Sequence, residues 1–306
     1  MMIAVVICTH NPRPEYLQRT LEGLKRQTLA MQEWTLTIVD NLSTPAVDAS
    51  IVSWHPEGKV VREEELGLTP ARLRGIALAA APFIVFVDDD NVLAPDYLSK
   101  VLEISRDHPH LGAWGAGVLE PGFEVPPPEW TKPYWKLVAV GNVGADKWSN
   151  LGMGPEVPCG AGLCVRRQVA DAYAEKVRNH PLRRRLDRTG TSLLSGGDTD
   201  LALTACSLGM GVGNFIRLQL THLIPAERLE KLYLLRLQRM MAASEVLRRW
   251  SEGQNIHRIW PLRILDRCRA LALPGLEREF RLASLRGTFE GRRLAQLWST
   301  FSPPAT

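Results

Sequence analysis

An unbroken apolar run, Phe83-Ile84-Val85-Phe86-Val87, leads directly into three carboxylates, Asp88-Asp89-Asp90. A continuous apolar run of that kind is what a strand buried on both faces requires. The three aspartates are therefore expected at the exposed end of that strand. Adjacent carboxylates repel one another and are poor structural choices unless a cation or hydrogen-bond donors neutralise them. An oxygen-rich cluster suits Mg²⁺ or Mn²⁺. In an extended chain the outer side chains of Asp-x-Asp project to one side. One then holds a metal while the other reaches a sugar or a base. The plain structural alternative is a solvated turn or a cap on the helix beginning near Pro95.

The same arrangement recurs along the first third of the chain. Residues 3–8 are apolar and are followed by Thr9-His10-Asn11-Pro12-Arg13-Pro14. Residues 34–39 read as a second strand ending at Asp40-Asn41, and 59–63 as a short one before a turn at Gly67. Between them, 15–27, 70–80 and 95–105 have a helical pattern. Alternating β and α segments predict an α/β fold with a mostly parallel sheet covered by helices on both faces. Ligands bind such sheets beyond the carboxyl ends of the strands. The clusters at 9–13, 40–41 and 88–90 are thus expected to share one crevice. Residues 112–148 are rich in Gly, Pro and Trp and predict irregular chain, with short strands at 113–119 and 162–165. A helix is expected from Asp198 to Ser207 and a basic one over 228–250. The run Arg183-Arg184-Arg185 reads as a solvated helix face.

A net charge of +4 on 306 residues does not suggest a nucleic-acid binder. Cys8, Cys159, Cys164, Cys206 and Cys268 are odd in number and scattered, so a reducing compartment fits better than a disulfide framework. The first apolar run is too short for a secretory leader, and no stretch of about 18 apolar residues occurs. The expected location is cytoplasmic, or peripheral on the inner face of a membrane. From Arg228 to Arg293, basic residues outnumber acidic ones roughly two to one. Those helices are expected either to dock on an anionic membrane or to pack against the rest of the protein.

Three further positions carry chemistry. In Ser195-Gly196-Gly197-Asp198-Thr199-Asp200-Leu201 the glycines permit close backbone approach. Asp198 is either a helix cap or a general base that takes a proton from a hydroxyl. His222 follows an apolar segment and precedes Pro225, which suits a side chain aimed at a metal. Arg72 and Arg74 are candidates for phosphate oxygens, Arg72 the better one, with a surface position the alternative for Arg74.

Taken in order, these residues resemble the family 2 glycosyltransferases of GT-A fold, over about residues 3–240. Val5-Val6-Ile7-Cys8-Thr9-His10-Asn11 resembles the family's opening strand and nucleotide loop. Ile38-Val39-Asp40-Asn41 is similar to its second strand, and Gly67-Leu68-Thr69-Pro70-Ala71-Arg72 to its Gly-x-x-x-Ala-Arg segment. Asp88-Asp89-Asp90 resembles its Asp-x-Asp, Pro158-Cys159-Gly160-Ala161-Gly162 its acceptor-side segment, and 196–201 its Gly-Glu-Asp-x-Asp-Leu motif. Residues 222–228 resemble a His-x-Ile-Pro-x-x-Arg stretch found in some members. Two positions depart: Gly197 stands where Glu is usual, and Leu73 where Asn is usual.

The resemblance implies a catalytic domain at 1–227 and a helical extension at 228–306. It implies a nucleotide-diphosphate sugar as donor, in the first place a UDP-sugar. Thr9, Asn11, Arg13, Asp40, Arg72, Asp88 and Asp89 would surround the nucleotide, with Asp89 the spacer and the most dispensable. Asp90 and His222 would hold Mn²⁺ or Mg²⁺, and Asp198 would be the base of an inverting transfer to a glycan, a lipid-linked or a small-molecule acceptor. Two rival readings stand beside it. A nucleotidyltransferase making a nucleotide sugar would show a Gly-rich phosphate loop, which 9–14 lacks. A non-catalytic nucleotide-sugar or glycan-binding protein would tolerate Gly197.

Overall fold

The computed structural model describes residues 1–152, 154, 156–256 and 260–301, the side chains of 260–263 and 300–301 excepted. The first half alternates as the apolar pattern predicts: β1 (Ile3–Thr9), α1 (Pro14–Lys25), β2 (Trp34–Asn41), β3 (Gly58–Glu63), α2 (Leu68–Leu78), β4 (Phe83–Asp88), β5 (Asn91–Leu93) and α3 (Tyr97–Asp107). Then follow β6 (Leu111–Phe123), a 3-10 helix (Glu129–Val138), β7 (Gly141–Asn142), β8 (Lys147–Ser149), β9 (Cys164–Arg166) and α4 (Arg167–Asn179). A second 3-10 turn (Pro181–Arg185) leads to α5 (Gly197–Ser207) and β10 (Gly211–Ile224), and the chain continues as α6 (Lys231–Ser251), α7 (Trp260–Leu271) and α8 (Gly275–Phe301).

One sheet runs β3-β2-β1-β4-β9-β6-β10-β5. Its long pairings are parallel: β1 with β2 and β4, β2 with β3, and β6 with β10. The short β9 lies antiparallel between β4 and β6. Register places Thr9 beside Asp40 and Cys8 beside Asp88, so the polar ends of the strands lie side by side. β5 doubles back antiparallel on β10 and pairs Asn91 with His222. This links the end of a strand near residue 222 to a turn near residue 90.

The side-chain period of two splits the core between the faces of the sheet. Ile3, Val5 and Ile7 pack with α1 and α3, whereas Val6, Val39, Ile84 and Phe86 pack with α2, α4 and α5. Two further clusters bind the C-terminal helices to the rest: Val138, Ile224, Leu234, Leu237 and Phe280 in one, Leu186, Leu194, Leu247, Trp250 and Trp298 in the other. Among the described residues no helix is long and apolar enough to cross a membrane.

Several local expectations are revised. α3 begins at Tyr97, beyond Pro95. β6 has 13 residues, well past the short strand expected there, because its partner β10 supplies a parallel edge along its length. Neither β10 nor α4 is evident from local pattern. Arg183 is not solvated: it is buried, and its guanidinium meets Asp200 Oδ1 and the Ser251 carbonyl, each at 2.5 Å. The chain is not extended through the three aspartates, since β4 ends at Asp88 and Asp89 and Asp90 form a turn.

Candidate active site

The ends of β1 and β4 open onto a cavity of about 930 Å³. Thr9, Asn41, Arg72, Asp88, Asp89, Asp90, Asp198, His222 and Arg228 all border it. Asn11, Arg13 and Asp40 lie off its wall. Asn11 adopts a left-handed backbone (φ 49°), and its Oδ1 accepts a hydrogen bond from the Thr44 amide at 2.7 Å. Arg13 is engaged with Glu124 and Glu227. Asp40 is buried and accepts the amides of Ser43 (2.9 Å) and Val47 (3.2 Å) and a guanidinium N–H of Arg62 (2.9 Å). Burial alone would raise its pKa, but those partners outweigh burial and lower it. These residues shape the loop after β2. Asn41 faces the cavity from it, its amide donating to the Glu63 and Glu65 carbonyls and its oxygen accepting from the Gly67 amide.

The aspartate turn is held by Asn91, which is fully buried. Its Oδ1 accepts from the Asp88 amide at 3.2 Å and its Nδ2 donates to Asp90 Oδ1 at 3.0 Å. Asp89 is more than a spacer, since the Thr9 hydroxyl donates to it and ties β1 to the turn. Burial, and next the neighbouring Asp90, push its carboxyl up to about 7. For Asp90 burial also opposes the charge, but His222 and then Arg228 outweigh it and hold this carboxyl well below the usual range.

Arg228 Nη1 lies 2.9 Å from Asp90 Oδ2, and His222 Nε2 lies 3.4 Å from Asp90 Oδ1. The other ring nitrogen, His222 Nδ1, faces the carbonyl of Ala139 at 3.4 Å. Ala139 adopts a left-handed backbone (φ 51°), which costs a non-glycine residue about 1–3 kcal/mol. A carbonyl on Nδ1 turns Nε2 toward Asp90, and a carbonyl partner of this kind is a common device for orienting a histidine that binds a metal. The 3.4 Å separation of Asp90 Oδ1 and His222 Nε2 is close to the ~3 Å between adjacent ligands of a small octahedral ion. Among the described residues no group of three or more His, Cys, Asp or Glu side chains forms a metal cage. The donor set therefore suits an ion that takes few protein ligands and completes its shell with phosphate oxygens and water.

Asp198 sits in the first turn of α5, half-buried at the cavity. Its Oδ2 accepts the Gly160 amide at 2.8 Å and its Oδ1 the Thr199 amide at 2.7 Å. A Cβ on Gly160 would lie 2.9 Å from Arg72 Nη2 and 3.3 Å from Asp198 Oδ2, so a side chain there would press on both the guanidinium and the carboxylate. Asp200 points away into the core and pairs with Arg183 and Lys176. Arg72 is buried and paired with Asp187. Burial opposes its charge, but Asp187, then Asp198 and Asp88, keep it cationic. The Cys8 and Cys159 thiols also border the cavity, and burial pushes both up to about 12, so neither is a nucleophile near neutral pH.

Arg228, Asp187 and Asn91 were not foreseen as site residues. Arg228 stands at the end of the 222–228 stretch and carried a signal there. Asp187 lies in a segment with no periodicity and carried none. Tyr233, Leu237 and Met241 of α6 also wall the cavity, a contribution no motif announces.

The arrangement can be set beside known proteins. Residues 4–143 match the family described as Glycosyl transferase family 2. The match takes in β1 through β7, a little under half of the chain. It is similar to validoxylamine A glucosyltransferase of Streptomyces hygroscopicus subsp. jinggangensis, 34% identical over 105 residues, which are 33% of this chain and 25% of that one. It is also similar to the amylovoran biosynthesis glycosyltransferase AmsE of Erwinia amylovora, 29% identical over 123 residues, 39% of this chain and 46% of that one. The chain thus spans about a quarter to a half of these curated relatives. In fold it is similar to the mannosyltransferase PcManGT of Pyrobaculum calidifontis, solved with GDP-Man and Mn²⁺, at TM-score 0.51, 12% identity and coverage of 98% of this chain and 75% of that one. The GT-A sheet expected from the motifs is the one observed.

Proposed function

We propose that the chain is an inverting glycosyltransferase that moves a sugar from a nucleotide-diphosphate sugar, a UDP-sugar, to an acceptor hydroxyl. One observation carries this reading: a carboxylate held by two backbone amides, Asp198, faces the same cavity as the Asp88–Asp90 turn and His222. An aspartate turn alone argues only for a cation. The family match over residues 4–143 supports the transferase class.

On the donor side, Thr9, Asn41 and Asp88 frame the nucleotide, Arg72 stays on Asp187 in the cavity wall, and Asn11, Arg13 and Asp40 order the loops from which the nucleotide is contacted. Asp90 and His222 are the residues that would hold Mn²⁺ or Mg²⁺. When bound, such an ion supplies Lewis-acid neutralisation of the departing diphosphate. Arg228, which neutralises Asp90 in this structure, is placed to pair with phosphate oxygens. On the acceptor side, the two amide bonds orient the Asp198 carboxylate and leave lone pairs for the hydroxyl proton. The proton passes to Asp198, the acceptor oxygen attacks the anomeric carbon, and the bond to the diphosphate breaks on the opposite face. In this reading 1–227 is the catalytic unit and 228–306 an extension whose first helix walls the acceptor side.

The test is a thermal-shift screen of UDP-sugars and GDP-mannose with and without Mn²⁺, followed by turnover. A UDP-sugar should raise the midpoint more with Mn²⁺ than without, and UDP should be released. Asp198→Asn should keep donor binding and lose turnover by ~10²-fold or more. Release of pyrophosphate would favour a nucleotidyltransferase. Donor binding with no turnover by the unaltered protein would favour a glycan- or nucleotide-sugar-binding protein.

A further inference from the structure

Asp187 lies in the loop between α4 and α5 and is 3% exposed, and its partner Arg72 on α2 is 4% exposed. The two form an ion pair, and Asp187 Oδ1 also accepts the Arg188 amide at 2.9 Å. Two contacts connect this pair to Asp198. First, the far end of the Arg72 guanidinium packs against Gly160, the residue whose amide holds Asp198 Oδ2. Second, Asp187 packs against Gly197, the residue immediately before Asp198. A Cβ built on Gly197 would stand 2.9 Å from both Cβ and Cγ of Asp187, and nearer still to its Oδ2. Gly197 is the first residue of α5 and is not among the residues of left-handed backbone. The Asp187 side chain, not backbone strain, is what excludes a side chain there.

Arg72 is a permanent cation buried among Asp187, Asp198 and Asp88. A buried guanidinium that loses its carboxylate takes another within reach, because a buried charge left unpaired is strongly destabilising. Asp198 is the nearest in influence after Asp187. A base held in a tight ion pair is a weaker proton acceptor. We propose that Asp187 is a positioning residue for Asp198: it occupies Arg72 and fills the side-chain space of position 197, so that the Asp198 carboxylate stays unpaired and fixed toward the acceptor. This rests on the reading of Asp198 as the base. It further implies that the carboxylate need not come from position 187, since position 197 reaches the same space.

The experiment uses the full chain with three variants: Asp187→Asn, Asp187→Gly, and the exchange Asp187→Gly with Gly197→Asp. Each is measured for kcat and donor KM with a UDP-sugar and Mn²⁺, and for thermal midpoint without ligand. Asp187→Asn keeps the shape and removes the charge, so kcat should fall about 100-fold while donor KM stays within about threefold. The exchange should recover most of the kcat lost in Asp187→Gly and melt above it, whereas Gly197→Asp alone should melt below the unaltered protein. A kcat for Asp187→Asn within about twofold of the unaltered protein would overturn the proposal. So would an activity loss that only tracks the folded fraction. If Asp187→Asn does not fold, the exchange decides: an exchange variant no more stable than Asp187→Gly overturns the shared-space claim. Failure of the transferase reading shows separately, as absence of turnover by the unaltered protein, and the stability coupling of positions 187 and 197 is read without turnover.

Discussion

Asp40 and His222 show how differently two residues near one cavity are used. Asp40 is spent on the protein itself, with Ser43, Val47 and Arg62 on its oxygens. Its pKa is lowered on folding, so as pH falls the unfolded carboxylate takes the proton first. The stabilisation is complete above the ordinary carboxylate value of about 4 and is lost as pH falls through the depressed folded value. Asp40→Asn should cost about 1–3 kcal/mol at pH 7, and its urea midpoint should converge on that of the unaltered protein as pH drops from about 5 toward 2. A gap that persists into acid would assign the loss to shape rather than charge. His222 is oriented by a backbone carbonyl, with Nε2 toward Asp90. His222→Ala should raise the Mn²⁺ concentration for half-maximal turnover by about tenfold or more, and an unaltered Mn²⁺ titration would remove it from the ion's ligands. Residue types and their order were legible in the chain. That Asp40 turns into the loop after β2 and Asn41 toward the cavity was not, because alternation sends neighbours to opposite faces without saying which face meets the cavity.

Elements place these residues, and the important placements are long-range. β5 pairs with β10, and the Leu223 amide donates to the Asp90 carbonyl at 2.8 Å, which brings His222 to Asp90 across 132 positions. No local pattern signals this, since β5 has only 3 residues. The 3-10 turn at Pro181–Arg185 gives a similar case. Arg183 is buried on Asp200, while Arg184 lies 40% exposed on Glu65. Arg183→Leu should therefore cost about 3–5 kcal/mol, because it leaves Asp200 with Lys176 alone at full burial. Arg184→Leu should cost less than about 1 kcal/mol. Urea unfolding of the two variants checks the contrast, and equal losses would contradict the buried pairing. A run of three arginines reads as one surface feature in sequence, and only packing distinguishes its members.

At the scale of the molecule, the C-terminal helices are part of the structure that forms the site. Leu234 and Leu237 share a cluster with Val138 and Ile224, and Tyr233, Leu237 and Met241 border the cavity. Because apolar clusters join both regions, calorimetry should show one cooperative unfolding transition, and two well-separated transitions would indicate independently stable units. A donor with Mn²⁺ should shift that transition upward as a whole by mass action. The sequence by itself determined the parallel first half of the sheet, the strand-end position of Asp88, Asp89 and Asp90, and the likeness of residues 4–143 to the family 2 glycosyltransferases, because apolar runs and polar strand ends are properties of neighbouring residues. The tertiary structure alone decided that Arg228 neutralises Asp90, that Asn11, Arg13 and Asp40 stand off the cavity, and that Asp187 occupies the space beside Gly197. Each of those depends on contacts between segments far apart in the chain, which local periodicity does not encode. The three carboxylates of the turn end with distinct surroundings: Asp88 at the strand end, Asp89 bonded to Thr9, and Asp90 between His222 and Arg228.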